Sequence, residues 1–167
     1  MILTATFLLW LLLVAAYDFQ QRRVPNWLVV AGASLSVAAL ALGTGPLGFD
    51  WQAALLGGAA GFGFLLLFYA TGLMGAGDVK FAGALGLWVG FSAFIPIWVI
   101  ASLLACAHAM LWRYLERWPL FPRLTSMLAG PSRTTESNTP ARRLRIIPYA
   151  AYLALAAVVW MVWGRES

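Results

Sequence analysis

Asp18 and Asp78 are the residues whose type and setting ask for chemistry. Of the six acidic residues in the chain, Glu136 falls in the polar stretch 131–143, Glu116 lies close to it, and Glu166 sits in the tail. Asp50 directly precedes Trp51, where a helix N-cap belongs. The remaining two are 60 positions apart in sequence, yet each stands where a long apolar run meets a polar break. Each has an ordinary explanation: an N-cap for Asp78, and an ion pair with Arg22 or Arg23 for Asp18. Together, at one depth, they form the carboxylate pair that an acid–base dyad requires. Like charges a few ångströms apart cannot both ionise, so such a pair shares one proton. The ionised member draws a proton from water while the protonated member donates to a carbonyl oxygen. That chemistry needs neither a metal nor a cofactor.

The elements that must position the pair follow from composition. Hydrophobic residues make up 62% of the 167 positions and charged residues 10%, against about 25% charged in a soluble domain. Apolar runs recur along the whole chain, each near the roughly 20 residues that cross a bilayer as a helix. The pattern predicts an all-α polytopic transmembrane bundle, one domain over residues 1–167, with helices at about 1–17, 25–43, 51–73, 79–91, 94–112 and 146–163. The N-terminal run lacks a basic n-region and a small-x-small cleavage site, so it reads as a span that stays. Val79 to Trp112 is too long for one crossing, and Gly90, Phe91 and Ser92 offer a turn that divides it.

Charge orients the bundle. Six crossings with both termini outside place Arg22, Arg23, Lys80, Arg113, Arg117, Arg123, Arg133, Arg142, Arg143 and Arg145 on the cytoplasmic side. Only Arg165 falls opposite, as the positive-inside rule demands. A single span over Val79–Trp112 would invert the basic 113–145 segment, which instead reads as a mobile cytoplasmic loop around PSRTTESNTPARR. Tyr17, Trp27, Tyr69, Trp112 and Tyr149 would line the inner interface, and Trp51, Trp88 and Trp163 the outer one. Gly57, Gly58, Gly61 and Gly63 would let helices approach closely. The net charge of +5 is explained by orientation, and no basic stripe interleaved with aromatics suggests nucleic acid. Cys106 is the only cysteine, which excludes an internal disulfide or a CxxC zinc site and suits core filling. His108, the only histidine, reads as a packed or interfacial residue.

The neighbourhoods of the two aspartates fit a site that meets an extended peptide. Gly75 and Gly77 precede Asp78, permitting a tight turn and an open backbone. Asp18 is followed by FQQRRVPNW, in which Val-Pro-Asn turns the chain and Pro25 can start a helix. Lys80 is placed either to favour ionisation nearby or to hold a lipid phosphate.

These residues carry a family resemblance. The run D-x5-V-P-N from Asp18 to Asn26, followed by MGAGDVKF from Met74 to Phe81, resembles the signature of the type IV prepilin peptidases, which are GxGD aspartyl membrane proteases. IPYAAYLA, from Ile147 to Ala154, is similar to the Ile-Pro-aromatic segment that opens the family's last span. The resemblance covers nearly the full chain and is closest to the small type found with tight-adherence (Flp) pili. It implies an endopeptidase of the prokaryotic inner membrane with Asp18 and Asp78 catalytic, while the open turn beside Asp78 puts Gly75, Gly77 and Lys80 toward substrate. It further implies a pilin-like precursor cut at the cytoplasmic face, just before its hydrophobic stretch, beside anionic inner-leaflet lipids. The paired CxxC motifs associated with N-methylation in larger members are not found in this sequence, so methyl transfer is not expected. Phe81 and Ala150–Ala151 stand where leucine and Gly-Pro-like pairs are common, a change expected to alter packing and no catalytic atom.

The other class of function open to this sequence is a transporter or proton relay using Asp18 and Asp78 as ion carriers. Such a relay should hold acidic residues near the bilayer midplane, and these spans place none there. A purely structural subunit would leave both aspartate motifs without a reason.

Overall fold

The structure, a computed structural model, describes residues 2–44, 50–117 and 148–163. The regular structure there is helical: α1 (Ile2–Gln21), α2 (Asn26–Ala41), α3 (Trp51–Ala70), α4 (Ala76–Arg117) and α5 (Tyr149–Trp163). Most of the expected loop 113–145 lies outside the described residues, as do Ile147 and Arg165, and its first residues, to Arg117, continue α4. The bounds also move Asp18, expected at the end of a span, into the body of α1's last turns.

Local sequence sets the helix ends. Arg22 takes a left-handed backbone conformation, φ 52°, at the end of α1. Val24 then leads into Pro25, whose extended backbone caps α2 and whose ring restricts the residue before it. α2 and α3 stop the same way. Gly43 and Gly72 adopt φ 64° and 74°, and the N–H groups of Gly43 and Thr44 return to the Leu40 and Ala39 carbonyls. Those of Gly72 and Leu73 return to Tyr69 and Phe68. These are Schellman closures, which need a left-handed residue that glycine supplies without a Cβ clash. Asp50 caps α3 as expected, its Oδ1 accepting from the Ala53 N–H at 2.9 Å.

α4 is broken at Gly90, whose φ of 72° and ψ of 171° are not helical. The break lies where the sequence predicts the turn, and the chain reverses there. A methyl built on Gly57 of α3 would strike Gly86 and Gly90, and one on Gly61 would strike Ala82 and the Phe94 ring. The Phe64 ring meets Trp98 at 5.0 Å. Ascending α3 from Gly57 to Phe64, contacts on the first arm of α4 therefore descend from Gly90 to Ala82. Those on the second arm ascend from Gly90 to Trp98. The two arms are antiparallel, and α3 lies along both. Ala76–Tyr114 spans 39 residues, about 58 Å if it were straight, roughly twice a bilayer's hydrocarbon core. The reversal removes that conflict.

α1, α3 and Ala76–Tyr114 are long and apolar enough to cross a membrane, while α2 and α5 are shorter apolar helices. The glycine seam differs from expectation at one position. Gly57, Gly58 and Gly61 face α4 closely, but Gly63 meets open space, because it lies on another side of the helix.

The centre of the bundle is aromatic. Phe7, Trp10, Phe81 and Trp88 are buried, with Phe7 and Trp88 stacked at 4.8 Å and Trp10 tilted on Phe81 at 5.2 Å. Both indoles donate to α2 carbonyls at 2.8 Å, Trp10 to Leu28 and Trp88 to Gly32. Trp88 is thus a core residue and not the outer-interface aromatic that its position suggested. Cys106 differs the other way: it is exposed, on the face of α4 turned from this core. α5 is buried on most of its circumference through Ala150, Ala151, Ala154, Ala156 and Ala157. Small side chains let it pack against both α1 and α4.

Candidate active site

Each aspartate is set by its own helix. Asp18 is on α1, 3% exposed, and Asp78 is in the first turn of α4, 7% exposed. Gly75 caps α4, so Asp78 is the third helical residue. Its Oδ2 accepts from the Gly75 N–H at 3.3 Å, the backward reach of a capping box. Asp78 therefore is not the N-cap itself. Its second oxygen is left to turn inward.

α5 brings the two side chains together. Its first helical hydrogen bond runs from the Tyr152 N–H to the Pro148 carbonyl, which makes Pro148 the cap and Ala150 and Ala151 the second and third residues. N–H groups at those positions have no partner within their own helix. Here the Ala150 N–H donates to Asp78 Oδ1 at 3.0 Å, and the Ala151 N–H to Asp18 Oδ2 at 2.9 Å. The donors belong to adjacent residues, whose Cα atoms are ~3.8 Å apart, so the carboxyl groups lie side by side. Asp18 also acts electrostatically on Asp78, and the positive charge of Arg22 acts on Asp18. A helix N-terminus suits negative charge, since its free N–H groups and dipole both point there.

The surroundings sort the remaining sequence-derived residues. Gly75 is exposed and touches the site directly. A methyl there would come to 3.3 Å from Asp78 Oδ2, with no other neighbour within 4 Å. Gly77 lies one residue inside α4, facing Val24 of the V-P-N segment at ordinary contact distances. The turn requires a left-handed backbone at Gly72, not at Gly75 or Gly77. Lys80 is exposed and donates to Asn26 Oδ1 at 3.1 Å. It ties the two aspartate motifs together across the surface.

Three groups of this site were not found by sequence reasoning. The sequence marks Ala150 and Ala151 for packing alone, yet their amides hold the two carboxylates. Tyr149, expected at the membrane interface, also belongs to the site. Its hydroxyl is hydrogen-bonded to the Ser102 hydroxyl at 3.0 Å, joining the start of α5 to the second arm of α4. The sequence signal is limited to a helix start after Pro148, whose first N–H groups lack partners in their own helix; which groups they meet is set by the fold. His108 packs near Tyr152, ring centroids 5.8 Å apart. Among the described residues, no group of three or more His, Cys, Asp or Glu side chains gathers to hold a metal ion.

Comparison with known proteins gives a consistent family. Residues 5–110 match the model of the type IV leader peptidase family. A prepilin leader peptidase/N-methyltransferase of Xanthomonas campestris pv. campestris is 32% identical over 120 residues, covering 68% of this chain and 34% of that protein. One from Bacillus subtilis is 32% identical over 126 residues, covering 72% of this chain and 49% of that protein. The chain thus spans about a third to a half of the length of these relatives. No solved structure matches it.

Proposed function

Because the chain belongs to the type IV leader peptidase family, we propose that it is a membrane-embedded aspartyl endopeptidase that removes the leader from type IV prepilin-like precursors. Asp18 and Asp78 form its dyad. The observation that carries this reading is the convergence of both motif aspartates, 60 positions apart, on adjacent amides of one helix end.

The chemistry follows from two carboxyl groups sharing a proton. The ionised one takes a proton from water as the oxygen attacks the scissile carbonyl carbon. The protonated one gives its proton to the carbonyl oxygen. Collapse of the tetrahedral adduct breaks the C–N bond, and a carboxyl proton passes to the leaving amine. Substrate enters as an extended segment, since helical backbone hides its carbonyls in hydrogen bonds. Gly75 is exposed next to Asp78, and this supports an approach of the strand over the GAGD turn. Lys80, held beside Asn26, contributes positive charge at the same rim.

The bundle crosses the inner membrane six times with both termini outside, the site opening to the cytoplasm. The α4 reversal at Gly90 and the bias of basic residues support this arrangement. Anionic inner-leaflet lipids would meet the basic side. The test of function is co-expression with a prepilin carrying a basic leader, read by leader removal on a gel. Cleavage dependent on this chain is the expected result. An uncut precursor beside a well-inserted enzyme, over a panel of pilin-like substrates, would remove the assignment.

A further inference from the structure

The match to the leader peptidase family ends at residue 110, and both aspartates fall within it. Yet the only described groups that bond to both are in α5, beyond that match. Helices α1 and α4 deliver Asp18 and Asp78 separately. Within its own helix end, Asp78 is held by the Gly75 N–H. The first turn of α5 supplies what is shared. The Ala150 N–H donates to Asp78 at 3.0 Å and the Ala151 N–H to Asp18 at 2.9 Å, and the Ala150 N–H also acts on Asp18.

The turn is itself held firmly. Pro148 is fully buried, as are Ala150 and Ala151. The Tyr149 and Ser102 hydroxyls bond at 3.0 Å, and Tyr152 sits against Phe19 of α1, ring centroids 6.2 Å apart, and against His108 of α4. Contacts from both partner helices thus fix where the two amides point.

We infer that the first turn of α5 is the positioning element of the dyad, with the backbone N–H of Ala150 aligning Asp78 and that of Ala151 aligning Asp18. This inference rests on the aspartyl-peptidase reading above. Ala150 and Ala151 act as positioning residues through backbone atoms that any side chain but proline leaves in place. An N–H bonded to a carboxylate restrains its rotation, so losing one should lower turnover more than substrate binding.

The test deletes one donor at a time. Ala150→Pro and Ala151→Pro each remove an N–H that the helix does not use, in the turn where proline is best tolerated. Because a proline also restricts the residue before it, a second pair of variants replaces the same alanine by lactic acid, exchanging only the N–H for an ester oxygen. Initial rates on a purified prepilin, in the membrane fraction, give kcat and KM per inserted molecule. Each deletion is expected to lower kcat about tenfold to hundredfold, the range for one hydrogen bond to a charged group, with KM changed less than about twofold. Ala151→Gly, which keeps the N–H, should restore turnover relative to Ala151→Pro. Ester variants that keep wild-type kcat, while Asp18→Asn and Asp78→Asn are inactive, would overturn this inference and spare the dyad. The same holds if the ester variants lose only KM or abundance. Cleavage by Asp18→Asn or Asp78→Asn would overturn the dyad and this inference with it.

Discussion

Two buried carboxylates in one small site are costly unless each is bonded, and here backbone donors do the bonding. Asp78 accepts from Gly75 and Ala150, and Asp18 from Ala151. The amide of asparagine retains an acceptor oxygen for these N–H groups but cannot exchange a proton as a carboxyl group does. Asp18→Asn and Asp78→Asn are therefore expected to insert normally and lose at least about a hundredfold in cleavage rate, the usual share of a general acid or base. Asp50→Asn should cleave normally, since asparagine caps a helix as well as aspartate. A rate for either dyad variant near that of Asp50→Asn would remove the assignment. The glycines divide by the same geometry. Gly75→Ala places a methyl at 3.3 Å from Asp78 Oδ2, whereas Gly77→Ala meets Val24 at 3.6 Å or more. Gly75→Ala should therefore reduce kcat severalfold more than Gly77→Ala, measured on equal amounts of inserted protein. Equal effects would mean that the carboxylate yields without loss of alignment.

At the level of elements, the seam between α3 and α4 is the tightest in the bundle. Gly57 and Gly61 lie against backbone of α4, so a side chain there has nowhere to go, while Gly63 faces open space. Overpacking of this kind typically costs ~1–3 kcal/mol. Gly57→Val and Gly61→Val should lower accumulation and thermal stability in detergent, and Gly63→Val should leave both near wild type. Loss of stability at Gly63 equal to that at Gly57 would contradict the α3 orientation. Gly90 carries a different constraint, because its φ of 72° and ψ of 171° fall in a region essentially restricted to glycine. It is the hinge of α4, and its backbone also closes the seam against Gly57.

For the whole molecule, the fold-back of α4 is what levels the parts of the site. The reversal at Gly90 returns the second arm of α4 to the depth at which Ser102 meets Tyr149, level with the start of α5 and hence with both aspartates. A reporter active only outside the cytoplasm should give signal when fused after Arg165 or near Gly45, and none when fused within 131–143. Signal from 131–143 would invert the second half of the bundle and put the basic segment on the wrong side.

From the amino-acid order alone follow the helical membrane protein, the cap at Asp50, the break near Gly90 and the two aspartates worth attention. These are local properties: apolar run length, a side chain that reaches its own helix end, a glycine in a long run, and a charge set in apolar surroundings. What depends on helix rotation and distant neighbours appears only in the folded chain. Gly63 differs from Gly61 only in which way it faces, and Trp88 left the interface because the carbonyl of Gly32 was within reach of its indole. The largest such case concerns Ala150 and Ala151. Their side chains carry no chemistry, so nothing in their identity marks them. Their function lies in backbone N–H groups, which every residue but proline possesses, and becomes visible only when folding sets that helix start against two carboxylates from elsewhere in the chain.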